Sequence, residues 1–209
     1  MYPKLQFVID TFSNYPPSEE RKEVLTQLVD YMVEKLKREG KVSLNFICTH
    51  NSRRSQLAQV WGQTAADYYK IPVKCFSGGV EITAFNERAV KALEASGFQI
   101  AQEGSGNPIY SISSSSGATP MHAFSKLYDD AHNPQEGFAA IMTCDHADEN
   151  CPFIPGADLR LPLRYLDPKA FDHTALEVEK YLERSLQIGS ELFFAFNRVS
   201  HRVDKEEFI

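Results

Sequence analysis

The clearest chemical pattern in the sequence is a cysteine that is followed, after five intervening residues, by an arginine and then directly by a serine. Cys48 ends an apolar stretch, and Arg54 and Ser55 stand where a helical pattern begins. A turn between a strand and a helix gathers backbone N–H groups and the positive end of the helix dipole at one point. The arginine adds a planar fork of donors that suits a tetrahedral oxyanion. The spacing therefore predicts a thiol nucleophile beneath a bound oxyanion, although most lone cysteines are simply buried small side chains.

The residues after the cysteine would form the anion site, and we call residues 48–55 the oxyanion loop. The predicted oxyanion-binding residues are Thr49, His50, Asn51, Ser52, Arg53, Arg54 and Ser55. Thiols at helix N-termini or beside cations are generally more acidic and more nucleophilic than free thiols. Because the loop contains no glycine, Asn51 is the residue expected to adopt a left-handed backbone angle.

A general acid should accompany such a nucleophile, because the leaving oxygen must receive a proton. Asp167 is the candidate, since it precedes Pro168 in a predicted loop before the last helix. An Asp-Pro pair is more often only a turn. Asp145 and Asp148 are therefore kept as further acidic candidates.

Strand-like and helix-like patterns alternate along the chain. Strands are expected at residues 42–47, 73–77 and 138–143, and helices at 54–69, 86–96 and 174–199. Apolar residues from Val24 to Leu36 predict a further amphipathic helix with Ser18 as its cap and Gly40 as its end. Asn86 is expected to cap the helix at 86–96, and Gly97 to end it. This alternation predicts an α/β fold with a parallel sheet and helices on both faces. Ligands of such sheets bind beyond the carboxyl ends of the strands. Cys48 and Cys144 each follow a strand directly, so we expect both at that edge.

The length and composition favour a single domain covering residues 1–209. The chain has 209 residues, of which 43% are hydrophobic, enough for one sizeable core. Within it we expect an N-terminal extension (1–40) with an amphipathic helix, a catalytic core (41–200) and an insertion (101–137). The serine run of the insertion predicts a flexible loop, and MHAFSKLYDD a short helix. A lid and a plain surface loop are both open for this insertion.

Charge and hydropathy exclude several partner classes. A net charge of −6 argues against a general nucleic-acid binder. No apolar stretch approaches the roughly 18 residues of a membrane span, so no membrane partner is expected. The N-terminus lacks the pattern of a signal peptide, so the cytoplasm is the expected location, and cysteines there are usually thiols, metal ligands or redox-active groups.

These residues resemble the low-molecular-weight protein-tyrosine phosphatase fold family. The resemblance rests on the oxyanion loop, on the segment SGGVEITAFN (77–86) with its following helix, and on Asp167-Pro168. It implies a doubly wound, four-stranded parallel sheet. The family includes phosphatases and, on the same scaffold, arsenate reductases that are coupled to thioredoxin.

Two further cysteines favour the arsenate reductases within this family. Cys144 and Cys151 flank the polar stretch DHADEN and resemble the redox segment of those enzymes. Two unpaired thiols and half of a metal site are the alternatives, but His146 is the only other ligand nearby, so no metal is predicted. A disulfide that closes so short a loop adds little stability, so in a reducing compartment it would be transient. Cys75 fits no chemical step and is expected in the core.

The resemblance implies that Cys48 attacks arsenate, Asp167 protonates the departing oxygen, and Cys144 and Cys151 relay the oxidation to thioredoxin. Neither a metal nor an organic cofactor is needed. Gln59 stands where arsenate reductases often carry a glutamate linked to potassium binding, so potassium is not predicted. The alternative is a phosphatase for phosphotyrosine or a small phosphomonoester that uses Cys48 and Asp167. Lys169 and Ala170, which follow the Asp-Pro, argue mildly against phosphotyrosine.

Overall fold

The computed structural model describes residues 1–150 and 153–203. Its centre is a four-stranded sheet of β1 (Val42–Cys48), β2 (Val73–Gly79), β6 (Phe138–Met142) and β7 (Ala157–Pro162). The strands run parallel in the order β2-β1-β6-β7. The chain leaves β1 toward one edge and returns through β6 on the other side. The carboxyl ends of β1 and β6 therefore flank the point where parallel sheets bind ligands.

The described part of the chain contains six α-helices. They are α1 (Pro3–Thr11), α2 (Glu19–Glu39), α3 (Arg54–Tyr69), α4 (Glu87–Ser96), α5 (Asp145–Asn150) and α6 (Glu177–Val203). Helices α2 and α3 cover one face of the sheet, α6 packs on both of them, and α5 lies on the other face. The predicted α/β fold, a four-stranded parallel sheet with helices on both faces, is confirmed. No helix within residues 1–150 and 153–203 has the length and apolar character needed to cross a membrane.

The helix ends follow the predicted signals. Ser18 accepts a hydrogen bond from the Arg21 N–H at the start of α2, and Gly40 ends that helix with a φ of 68°. Asn86 caps α4 in the same way, and Gly97 ends it. Helix α6 begins at Glu177 rather than at residue 174, because the residues before it form turns.

The core joins the N-terminal extension to the sheet. Trp61 of α3 is fully buried, its indole N–H donates to Ser185 of α6 at 3.0 Å, and its ring packs edge-on against Phe12 and Phe98. Loss of so large a buried ring generally costs about 3–5 kcal/mol. Trp61 therefore fixes α3, and with it the loop at its N-terminus.

The segment predicted to be a serine-rich loop and a short helix is built differently. β3 (Gln99–Glu103), β4 (Ile109–Ser113) and β5 (Met121–Ala123) form an antiparallel sheet, and the serine run is the turn between β4 and β5. The predicted helix in MHAFSKLYDD is wrong: Met121–Ala123 pairs with β4, and this pairing outweighs local helix propensity. Residues 124–136 then return across the four-stranded sheet on its second face, which is the face opposite α2 and α3. There the Asn45 side chain of β1 donates to the Tyr128 carbonyl at 2.9 Å.

Candidate active site

Cys48 is the last residue of β1 and lies within the oxyanion loop, 4% exposed. Its Sγ is 3.0 Å from the Ser55 hydroxyl oxygen. That oxygen also accepts a hydrogen bond from the Asn51 side-chain amide at 2.9 Å. Because the amide supplies one hydrogen to Ser55, the hydroxyl hydrogen is available to point at the sulfur.

The backbone of the oxyanion loop is arranged to receive an anion. Among the described residues, the N–H groups of residues 49–53 donate no hydrogen bond to any other group. These five donors follow the nucleophile directly and lead into the N-terminus of α3, where the helix dipole is positive. Unpaired backbone N–H groups are rare in folded proteins, so a run of them marks a place that a ligand can satisfy.

Asn51 gives the loop its shape. It is fully buried and has a φ of 45°, so the left-handed angle predicted for it is present. There is no room for a larger neighbour, because a Cβ atom on Gly79 would come within 2.7 Å of the Asn51 nitrogen. The Asn51 side-chain oxygen accepts a hydrogen bond from the Lys126 N–H at 2.9 Å.

Three side chains that the sequence analysis missed support the loop from outside. The Gln56 amide donates to the carbonyl oxygens of Asn51 at 3.0 Å and of Phe124 at 2.8 Å. The hydroxyl groups of Ser125 and Thr83 donate to the His50 carbonyl, at 3.0 Å and 3.1 Å. Two of these contacts span 68 and 75 residues, so no local sequence signal could reveal them.

Arg54 and Asp167 meet beside the loop. One Arg54 nitrogen, Nη2, donates to Asp167 Oδ2 at 2.7 Å, and Nη1 donates to the Tyr165 carbonyl at 3.0 Å. The Arg54 Nε is buried and has no hydrogen-bond partner within residues 1–150 and 153–203. The structure thus brings the predicted acid to the predicted anion ligand, and leaves one guanidinium donor unused.

Other predicted loop side chains are engaged elsewhere. The Arg53 Nε donates to the Tyr181 hydroxyl at 2.9 Å, and Tyr181 donates to Asp172 at 2.7 Å. Burial raises the pKa of Tyr181 to about 12, so this phenol stays neutral and keeps its proton. Ser52 donates to the Ala84 carbonyl at 2.7 Å, and the His50 ring lies 3.4 Å from Glu81. These residues can serve the anion through their backbone N–H groups rather than through their side chains.

Cys144 lies two residues beyond the carboxyl end of the neighbouring strand β6 and is 1% exposed. It shares a small apolar cluster with Cys48 on the second face of the sheet. The Thr49 hydroxyl is 3.4 Å from Cys144 Sγ and 3.3 Å from the His146 Nδ1. Thr49 therefore joins the oxyanion loop to the second cysteine. Cys151 lies outside the described residues.

The other two acidic candidates, Asp145 and Asp148, have structural partners. Asp148 is buried and forms ion pairs with Arg160 of β7, at 2.5 Å, and with Arg164. Asp145 lies 3.1 Å from Arg164. These pairs anchor α5 to the chain around β7, because a buried carboxylate needs a cation beside it. In the described part of the chain, no three His, Cys, Asp or Glu side chains converge as metal ligands would.

The chain is similar in sequence to several arsenate reductases. No family model matches it. An arsenate reductase of Bacillus cereus is 28% identical over 157 residues, which cover 72% of this chain and 98% of that protein. An arsenate reductase of Brevibacillus brevis is 28% identical over 130 residues, 62% of this chain and 79% of that protein.

Solved structures overlay more loosely. A low-molecular-weight phosphotyrosine phosphatase from Vibrio cholerae covers 79% of this chain and 97% of its own, with a TM-score of 0.47 and 15% identity. A thioredoxin-dependent arsenate reductase from Corynebacterium glutamicum covers 86% of this chain and 71% of its own, with a TM-score of 0.43 and 20% identity. Overlays of this quality add nothing to the sequence match.

The parallel sheet carries at its carboxyl edge a loop that begins at the buried Cys48 and contacts a second buried cysteine through Thr49. The four-stranded parallel sheet that the family resemblance implies is present, and the chain is similar in sequence to arsenate reductases.

Proposed function

We propose that the protein reduces arsenate to arsenite with Cys48, Cys144 and Cys151, and that thioredoxin restores the thiols. The observation that carries the proposal is a buried cysteine followed by five backbone N–H groups that have no partner among residues 1–150 and 153–203. A second cysteine contacts the same loop through Thr49. A phosphate-like oxyanion satisfies the N–H groups, and two thiols supply the two electrons that arsenic(V) requires.

The first step forms a bond between Cys48 and arsenic. The Cys48 thiolate attacks arsenate, and one oxygen leaves as water after it receives a proton from Asp167. The N–H groups of residues 49–53 and the free Arg54 Nε stabilise the negative charge on the remaining oxygens.

The second step transfers the electrons. Cys144 attacks the Cys48 sulfur, the sulfur–arsenic bond breaks with its electron pair on arsenic, and arsenite leaves while a Cys48–Cys144 disulfide remains. Cys151 then attacks Cys144, which frees Cys48 and moves the disulfide to Cys144–Cys151. The dithiol of thioredoxin reduces this bond, so each turnover consumes one arsenate and one reduced thioredoxin and releases arsenite and water.

The proposed setting is the reducing cytoplasm. Cys48, Cys75 and Cys144 are free thiols in the structure, the state that glutathione and thioredoxin maintain there.

The second candidate is a phosphatase, since Cys48, the loop and Asp167 are all that phosphoester hydrolysis needs. Phosphate would pass from the ester to Cys48 and then to water, with Asp167 first as acid and then as base. The buried position of Cys144 beside Thr49 favours the reductase, because hydrolysis gives this thiol no role.

One pair of assays separates the candidates. Arsenate-dependent oxidation of NADPH is followed in the presence of thioredoxin and thioredoxin reductase, beside hydrolysis of para-nitrophenyl phosphate by the same preparation. We expect Cys144→Ser to lose sustained arsenate turnover while it retains any phosphatase activity, and Cys48→Ser to lose both.

Cys75→Ala is the matched control. Cys75 is a buried thiol whose pKa is raised by burial, it lies on β2, and it has no step in the cycle. It should leave both activities within about twofold of the unmodified enzyme, since it touches no group that reacts. Normal arsenate turnover by Cys144→Ser would refute the relay.

A further inference from the structure

A second cleft lies between edge strand β2, helix α3 and residues 114–132. Its volume is about 990 Å³, and none of residues 48–55, Cys144 or Asp167 lines it. It is therefore separate from the candidate active site.

One wall of this cleft carries a buried lysine that has no counter-ion in the part of the chain that the structure describes. Lys126 is 3% exposed, and its ammonium nitrogen lies 4.6 Å from the centre of the Phe124 ring. Within residues 1–150 and 153–203 it has neither a carboxylate ion pair nor a side-chain hydrogen bond. Asp130 is the acidic side chain whose charge acts on Lys126, and it is itself paired with His132 at 2.7 Å. A buried cation is costly unless something pairs with it, so the lysine marks a place where a negative group would be stabilised.

The rest of the cleft also favours a negatively charged ligand. Lys74 of β2 also lines it and has no ion pair in the described part of the chain. The acidic residue of the lining, Asp67, already accepts a hydrogen bond from Gln63 at 2.9 Å. The aromatic rings of Tyr68 and Phe76 supply apolar wall surface.

We propose that this cleft is a binding site for a small organic anion, which places its carboxylate or sulfonate beside Lys126 and its apolar body against the aromatic walls. An inorganic oxyanion would satisfy the charge but would leave those walls exposed to water.

Protonation should be coupled to this binding. Burial lowers the pKa of Lys126 to about 8, so part of the protein carries a neutral amine just above neutral pH. An anion favours the charged amine, so binding takes up a proton, and the affinity should fall as the pH rises above about 8. The other titratable groups around the cleft are the amino group of Met1 and the side chains of Asp67, Tyr68, Lys74, Cys75, His122, Asp130 and His132.

The test is a fluorescence titration with 8-anilinonaphthalene-1-sulfonate on the full chain, in saturating inorganic phosphate so that the oxyanion loop is filled. We expect Lys126→Met to weaken binding at least tenfold and to lose the pH dependence above pH 8, while Lys126→Arg retains binding. Lys91→Met, which removes an exposed lysine of α4 outside the cleft, is the matched control and should not change the affinity.

Circular dichroism confirms that each variant is folded before the titration. The proposal is overturned if the probe does not bind saturably, if Lys126→Met binds it as tightly as the unmodified protein, or if Lys91→Met weakens it equally. The titration is repeated without phosphate, and a loss of the Lys126-dependent affinity when phosphate is added would also overturn the proposal, because the site would then take a simple oxyanion.

Discussion

The contact between Arg54 and Asp167 predicts opposite effects of one substitution, Asp167→Asn. We expect it to raise the affinity for an oxyanion and to lower the rate of the first chemical step. In the structure the Arg54 Nη2 donates to Asp167 Oδ2 at 2.7 Å, and the Arg54 Nη1 donates to the Tyr165 carbonyl at 3.0 Å. An oxyanion that uses the full fork of Arg54 must displace Asp167 from it. Asp167→Asn keeps a hydrogen-bond acceptor of the same shape but removes the competing charge.

The size of the effect follows from the exposure of the pair. The Asp167 side chain is 32% exposed and that of Arg54 is 12% exposed, so water weakens the attraction but does not abolish it. Ion pairs of this kind contribute about 1 kcal/mol or less. Release of Arg54 should therefore tighten phosphate binding roughly fivefold. Loss of the general acid should slow the first chemical step by about 10²–10⁴.

Isothermal titration calorimetry with phosphate, an anion that the enzyme cannot reduce, measures the first effect. Single-turnover reaction with arsenate measures the second. Asp172→Asn is the matched control, because it removes the same charge near Arg53 but leaves Arg54 paired, and it should change the phosphate affinity less than twofold. Weaker phosphate binding by Asp167→Asn than by the unmodified protein would refute the competition.

Three further substitutions test other parts of the structure. Lys126→Met should raise the free energy of unfolding by up to about 3 kcal/mol at neutral pH, because the native pKa of about 8 lies below the unfolded value of 10.5. The penalty of the charged amine is complete below pH 8 and disappears as the pH rises to 10.5, so urea denaturation across this range should show the gain vanish. Gln56→Ala should cost about 1–3 kcal/mol in the same measurement and lower arsenate turnover, since buried carbonyl groups of Asn51 and Phe124 lose a donor. Gly78→Ala should destabilise by about 1–3 kcal/mol or more, because the new Cβ would lie 2.3 Å from a backbone atom of Tyr128; unchanged stability would show that this segment moves freely.

The parts of the site that are continuous in sequence could be predicted. The strand, loop and helix around Cys48 were predicted from spacing, and the left-handed Asn51 from the absence of glycine in the loop. The limits of α2 and α4 followed from their capping residues, since caps act within four residues of the helix end.

The parts that depend on distant residues could not be predicted. The sheet formed by β3, β4 and β5 was missed because its short strands pair only with one another and its serine-rich turn has no hydrophobic period. Nothing near Lys126 in the sequence indicates that this residue is buried, and nothing near Gln56 indicates Phe124 as its partner. Strand β7 was also missed, since its pattern ends in a proline and its burial is partial.

The wide sequence separation within the site determines when it can form during synthesis. His50 is supported by Ser125, 75 residues later, and Arg54 by Asp167, 113 residues later. At the usual rate of about 5–20 residues per second, about 6–23 s separate the emergence of Arg54 from that of its partner. During that interval the ribosome-bound chain has its cysteine but not the contacts that shape the oxyanion loop. The candidate anion site is therefore completed only near the end of translation.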